Sequence, residues 1–156
     1  MERVYLTLNR IIETLLVVIF GLLVIDVVWQ VVSRYVVGQS SSFTEEFARF
    51  SLIWLTVLGA AYINGRKEGH LSMDFLLSKL PPEKKAKRQK VIQVLMAVFA
   101  LVIMVIGGGN LVYITLSLGQ ISSALQIPLG FVYAIVPVSG IIIIFFSIYN
   151  IKKLNF

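Results

Sequence analysis

The stretch Ile11–Val32, IIETLLVVIFGLLVIDVVWQVV, decides the fold. About 20 mostly apolar residues, rising 1.5 Å each, make a helix long enough to cross the hydrocarbon core of a bilayer. The run is continuous rather than alternating, so it reads as a helix and not as a barrel strand. Three more runs of this kind follow, over Phe47–Ile63, Val91–Leu111 and Leu129–Ile148. The expected architecture is an all-α integral membrane protein with four transmembrane helices, forming one domain over residues 1–156.

Composition agrees. The chain is 58% hydrophobic and 14% charged, with a mean hydropathy of +0.88. A soluble domain of this size could not cover so much apolar surface. There is no cysteine, which excludes disulfides, thiol catalysis and thiolate metal sites. The sequence pI near 9.7 does not point to nucleic acid, because the basic residues flank the spans, where they set orientation.

Twelve of the fourteen Lys and Arg lie before the first span, between the second and third, or after the fourth. The remaining two, Arg34 and Arg49, flank the first outer loop, and Val112–Pro128 carries no charge. The positive-inside rule then places both termini and the middle loop in the cytoplasm. Glu13 and the absence of an A-x-A-like site argue that the first run is a retained span, not a cleaved signal.

Between the spans, Gly38 and Ser40–Ser42 form a turn. Ser42 and Glu45 have the spacing of a capping box, and Gly65 is the expected C-cap of span 2. Leu71, Phe75, Leu76 and Leu80 recur at helical spacing. They predict a short amphipathic helix over 71–80 in the cytoplasmic interface, broken by Pro81-Pro82 and followed by a basic lead, Glu83–Lys90, suited to anionic headgroups. Gly59-Ala60-Ala61, Gly107–Gly109 and Gly130 with Ala134 are small-residue faces for close helix packing. Pro137 is expected to kink span 4.

Asp26 is the sharpest single residue. Placed about 6 Å outward from the centre of span 1, its carboxylate needs a partner or water. It reads either as a proton or cation site or as a buried hydrogen-bonded link between helices. The link is favoured, because no second acid lies at its depth. Arg49, entering span 2 from the same side, is the candidate partner. Glu45 and Glu46 are adjacent, so they point about 100° apart and do not converge on one substrate. Glu45 can bridge to Arg49 at i+4. His70 is the sole histidine and lies in a loop, which removes a four-helix haem protein. Trp29 and Trp54 read as interface anchors. No catalytic constellation, metal cluster or phosphate loop is present, so neither an enzyme nor a cofactor is expected.

Arg34-Tyr35-Val36, Glu45-Glu46-Phe47-Ala48-Arg49, Trp54, Leu58-Gly59-Ala60-Ala61 and Gly69-His70-Leu71-Ser72-Met73-Asp74 occur in this order. Gly119-Gln120, Ala124-Leu125, Ile127-Pro128, Tyr133 and Pro137 follow. Together they resemble the small membrane subunit of tripartite ATP-independent periplasmic (TRAP) transporters, the DctQ-like family. Ser123 departs from the pattern, where many relatives place proline. The resemblance implies a bacterial inner-membrane protein that pairs with a large, elevator-type membrane subunit bearing the substrate and sodium sites. It also implies a periplasmic binding protein that delivers an organic acid, such as a sialic acid or C4-dicarboxylate. The small subunit would be a scaffold anchoring the large one in the lipid, with import driven by sodium. On this reading Asp26, Arg34, Arg49, Trp54, Gly59, His70 and Asp74 are structural polar links or partner contacts. Ser42, Glu45, Glu46, Gln120, Ser122 and Ser123 are candidates for binding-protein docking. The competing reading is a stand-alone four-helix transporter that couples a proton or cation through Asp26.

Overall fold

The computed structural model describes residues 2–36, 38, 41–66 and 82–153. Helix α1 spans Glu2–Val36 and α2 spans Ser42–Gly65. Helix α3, Pro82–Phe99, runs without interruption through a π-helical segment, Ala100–Gly107, into α4, Gly108–Ser117. Helices α5, Leu129–Tyr133, and α6, Ile135–Lys153, complete the chain. Four stretches are long and apolar enough to cross a membrane: Glu2–Val36, Ser42–Gly65, Lys87–Ser117 and Leu129–Lys152. The third reaches six residues beyond Leu111, so the loop before α5 is shorter than the sequence suggested. The expected interfacial helix over 71–80, with His70 and Asp74, lies outside the described residues.

Helix α1 packs on α2, α2 on α6, and α6 on α3 and the π segment. Tyr5, Ile12, Leu58, Ile135 and Phe146 form one buried cluster, and Ala61, Ala100 and Ile143 a second. Lipid tails are as apolar as leucine, so such packing is chosen by close fit and polar links rather than by escape from water. The fit is closest at Gly130 in α5, where a Cβ would overlap Leu116 Cγ, and it is close along α6 too. A Cβ on Gly140 would stand 2.8 Å from Met104 Cβ and 3.2 Å from the Ala100 carbonyl oxygen. One on Gly108 would stand 2.9 Å from Val136 Cγ1. Gly107 and Gly109 are not crowded in this way, so only the central glycine of that triplet serves close approach. Gly59 has open space where a Cβ would stand, with nothing within 4 Å among the described residues.

Span 4 breaks at Ala134, between α5 and α6. Pro137 has no N–H for the Tyr133 carbonyl, and its ring crowds the preceding turn. Val138 N reaches Ala134 O only at 3.4 Å. The α-helix is thus interrupted three residues upstream of Pro137, where a kink was expected.

One end of the bundle is tied by a buried polar knot. The Tyr5 hydroxyl donates to the Gly65 carbonyl. Asn64 Nδ2 donates to Ile143 O at 3.1 Å and to Ser147 Oγ at 3.0 Å, and Asn150 Nδ2 donates to Asn64 O at 3.0 Å. Tyr5 stacks on Tyr149 at 4.4 Å and meets Phe146 edge-on at 5.5 Å. Gly65 does not act as the expected C-cap in a left-handed turn. The capping residue is Arg66, in extended backbone. Gly65 is needed for space, since a Cβ there would lie 2.8 Å from the Phe146 ring.

These contacts set levels along the bundle. Tyr5 is beside Gly65, and Asp26 shares a cleft with Thr44. The 21 residues between the members of each helix rise about 31 Å, close to the thickness of a hydrocarbon core. Asp26 thus stands level with the first turn of α2, about 31 Å along the bundle from Tyr5.

Candidate functional site

The end opposite Tyr5 is built around Glu46, on the second turn of α2. Its carboxylate accepts the hydroxyl of Ser122 and that of Ser123, the latter at 2.6 Å. It also accepts the backbone N–H groups of Ala124 at 3.0 Å and Leu125 at 3.2 Å. Three of the four donors converge on Oε2. Hydrogen bonds to an ionised acceptor are the stronger kind, so this side chain clasps the whole 122–125 turn.

The turn is shaped to present those donors. Gly119 sits at φ +61°, where glycine is unstrained, and Gln126 at φ +54°. Ile121 and Pro128 pair as an isolated antiparallel bridge. Ser122 N donates to Ile127 O at 2.9 Å, and Leu129 N to Gln120 O at 3.0 Å, which closes the loop onto the start of α5. Gln126 Nε2 caps the Ser123 carbonyl at 2.9 Å. Ser123, the departure from the family pattern, supplies one of the four donors to Glu46.

The capping box expected from Ser42 and Glu45 does not form. Ser41 holds the N-cap position without a side-chain cap bond, so the pair falls one residue out of register. The Thr44 hydroxyl instead donates back to Ser41 O at 2.8 Å. Glu45 turns away from Glu46 and meets Arg49 Nη2 at 3.5 Å, both side chains well exposed. An exposed i,i+4 pair of this kind contributes little. Arg49 is therefore not beside Asp26, as the sequence reading suggested. Asp26 is 9% exposed, and its Oδ2 has no hydrogen-bond partner among the described residues. Arg34 is exposed near the end of α1, while Ser33 on the buried face donates to Gln30 O at 3.0 Å.

Of the six candidate docking residues, Glu46, Ser122 and Ser123 are thus joined to one another. Ser42, Glu45 and Gln120 remain exposed around them. Trp54 is not a free interface anchor. Its Nε1 donates to Val132 O at 3.0 Å, beside the break in span 4. Trp54→Phe keeps a six-membered aromatic ring and loses that donor with the pyrrole part of the indole. We expect a cost of about 1 kcal/mol, read as a fall of about 2–4 °C in the unfolding midpoint of the detergent-solubilised protein. An unchanged midpoint would mean the bond contributes nothing.

The sequence reading missed the polar knot of Tyr5, Asn64, Ser147 and Asn150. A signal was available: Asn64, and Ser147 and Asn150 three apart, are amides and a hydroxyl at the same end of two apolar runs. Among the described residues no cluster of His, Cys, Asp and Glu could hold a metal ion.

Residues 22–154 match the profile of the DctQ component of tripartite ATP-independent periplasmic transporters. Relatives agree along most of the chain. A Haemophilus influenzae protein assigned as a TRAP transporter small permease is 29% identical over 136 residues, covering 87% of this chain and 82% of the relative. The sialic acid TRAP transporter small permease protein SiaQ of Vibrio cholerae is 28% identical over 156 residues, covering 94% and 84%. The match runs from the middle of α1 to the end of α6, through the Glu46 clasp and the break in span 4, and the chain belongs to the DctQ family of TRAP transporter small membrane subunits, which are transport components and not enzymes.

Proposed function

We propose that this chain is the static membrane companion of a large transport subunit, importing an organic acid handed over by a periplasmic binding protein and driven by sodium. The observation that carries the static role is that both ends of the bundle are tied: Glu46 holds the 122–125 turn at one end, and the Asn64 knot joins α2 to α6 at the other. A subunit that itself alternated between conformations would have to break one of these ties in each cycle. The open space at Gly59 and the apolar exterior of α1 offer surfaces for the large subunit. The charge distribution supports cytoplasmic termini in a bacterial inner membrane. That orientation puts the exposed Ser42, Glu45 and Gln120 on the periplasmic side, where a binding protein would dock. An amphipathic helix over 71–80, with His70 and Asp74, would steady the subunit at the cytoplasmic interface. Sialic acid is the favoured cargo, because one relative is named for it; a C4-dicarboxylate is the other.

The test is a mild-detergent purification of the tagged chain from its native membrane, followed by uptake measurements with the assembled complex. A many-spanning partner at one-to-one stoichiometry, and sodium-dependent uptake that needs both chains, is the expected result. Recovery of this chain alone, or transport by it alone in vesicles, would overturn the reading. The buried, unpartnered carboxylate of Asp26 would then make a stand-alone carrier the better one.

A further inference from the structure

Two clefts lie end to end along the seam between α1 and α2, sharing Leu22 and Phe47. The inner one holds about 310 Å³ and is walled by Ile19, Phe50, Trp54 and Leu125, with Ser51 its one polar lining residue. The outer one holds about 370 Å³ and adds Asp26, Trp29, Phe43 and Thr44. The pair forms a groove that is apolar below and carries one acid near its outer end. We propose that this groove binds one aminophospholipid, its ammonium group on Asp26 and an acyl chain along the inner cleft.

Asp26 is the one acid of the groove among the described residues. It is nine-tenths buried, and its Oδ2 meets no donor among the described residues. Among the described residues, the nearby hydroxyl and the two arginines are engaged or too far out. The Thr44 hydroxyl donates to Ser41 O, Arg49 pairs with Glu45, and Arg34 lies two turns further along α1 on an exposed face. A carboxylate inside an apolar span needs a counter-charge. An ammonium headgroup brings up to three N–H donors on a short tether that can enter the outer cleft. Trp29 and Phe43 give the outer cleft the aromatic walls that favour a cation. Headgroup chemistry then selects among lipids. Phosphatidylglycerol brings only negative charge to the acid, and a choline headgroup has no N–H to donate.

The chain supplies its own reporters. It has two tryptophans, and both line the groove, Trp29 outside and Trp54 inside. Brominated acyl chains quench tryptophan fluorescence on contact. The full chain would be reconstituted in phosphatidylcholine vesicles and titrated with brominated phosphatidylethanolamine or brominated phosphatidylglycerol. The expected half-point for the ethanolamine lipid is about tenfold lower, the size of one charge-assisted bond. A chain of net charge +6 would by bulk attraction prefer the glycerol lipid, so this preference has the opposite sign to a nonspecific one. Asp26→Asn should abolish it and Asp26→Glu should retain it. Trp29→Phe should leave Trp54 still quenched, placing the chain in the inner cleft. Equal quenching by the two lipids, or by brominated phosphatidylcholine against the ethanolamine lipid, overturns the site and needs no variant. In the complex purified with its membrane partners, loss of one retained phosphatidylethanolamine on Asp26→Asn supports the site. No difference there overturns it, in favour of a basic side chain from the partner.

Discussion

Replacing Glu46 with alanine is expected to release the 122–125 turn. Four donors lose their acceptor at once: the hydroxyls of Ser122 and Ser123 and the amides of Ala124 and Leu125. Ser122 is almost fully buried, so its hydroxyl cannot simply turn to water. Charge-assisted bonds contribute about 1.5–3 kcal/mol each and do not add, so a local loss of about 3 kcal/mol is expected for the set. Amide exchange at Ala124 and Leu125 should quicken by about a hundredfold. Uptake by the assembled transporter should fall with it, because the rim formed by Gln120 and the neighbouring turn would lose its fixed shape. Glu46→Gln keeps one carbonyl acceptor and should fall between. Glu45→Ala is the matched control one residue away. It removes only an exposed pair with Arg49 and should leave both readouts near wild type. If the two alanine variants behave alike, the clasp does not shape this end.

The second large effect is at the other end. Asn64 is 1% exposed. Its Nδ2 faces two oxygens, Ile143 O and Ser147 Oγ. A carbonyl cannot donate, so the amide orientation is fixed by its surroundings. Asn64→Asp is nearly isosteric, yet it turns a double donor into an acceptor aimed at a carbonyl. The buried oxygens then oppose each other, or the new carboxyl must hold a proton. Either way a cost of about 3 kcal/mol is expected, about 6–12 °C in the unfolding midpoint. Asn64→Ala should cost less than Asn64→Asp, because a missing donor is less harmful than a reversed one. A midpoint for Asn64→Asp within 2 °C of wild type, about 1 kcal/mol or less, would show that the knot does not join α2 to α6 in the folded protein.

The four apolar runs were legible because bilayer crossing imposes a length and a composition that little else does. The break in span 4 followed from Pro137, since a missing N–H acts locally. Glu45 and Glu46 could be separated from helix geometry alone, and each does face its own way. What lay beyond the sequence depended on contacts distant in the chain. Glu46 meets residues 76 or more positions away, and nothing local to it announces that. The Asp26–Arg49 idea failed for a related reason. It took similar depth for proximity, whereas Arg49 lies on the exposed face with Glu45. The capping box failed by one residue of register, as Ser41 rather than Ser42 precedes the first helical turn. The π segment Ala100–Gly107 had no sequence flag, because its apolar residues suit an α-helix equally well.

The spacing of the two ties has a consequence for the surrounding lipid. A lone helix answers a thin or thick bilayer by tilting. Here α1 and α2 are fixed in register at Tyr5 and Gly65, and α2 is joined to α6 by Asn64 and to the last loop by Glu46. Helices so bound cannot tilt singly. Mismatch must be taken up by the membrane, at a fraction of a kcal/mol per Å, and whatever docks on this bundle inherits the local thickness that it imposes. The subunit would then act as a gauge, holding a collar of bilayer at one height around its partner, and short or long acyl chains would be felt by the transporter first through this chain.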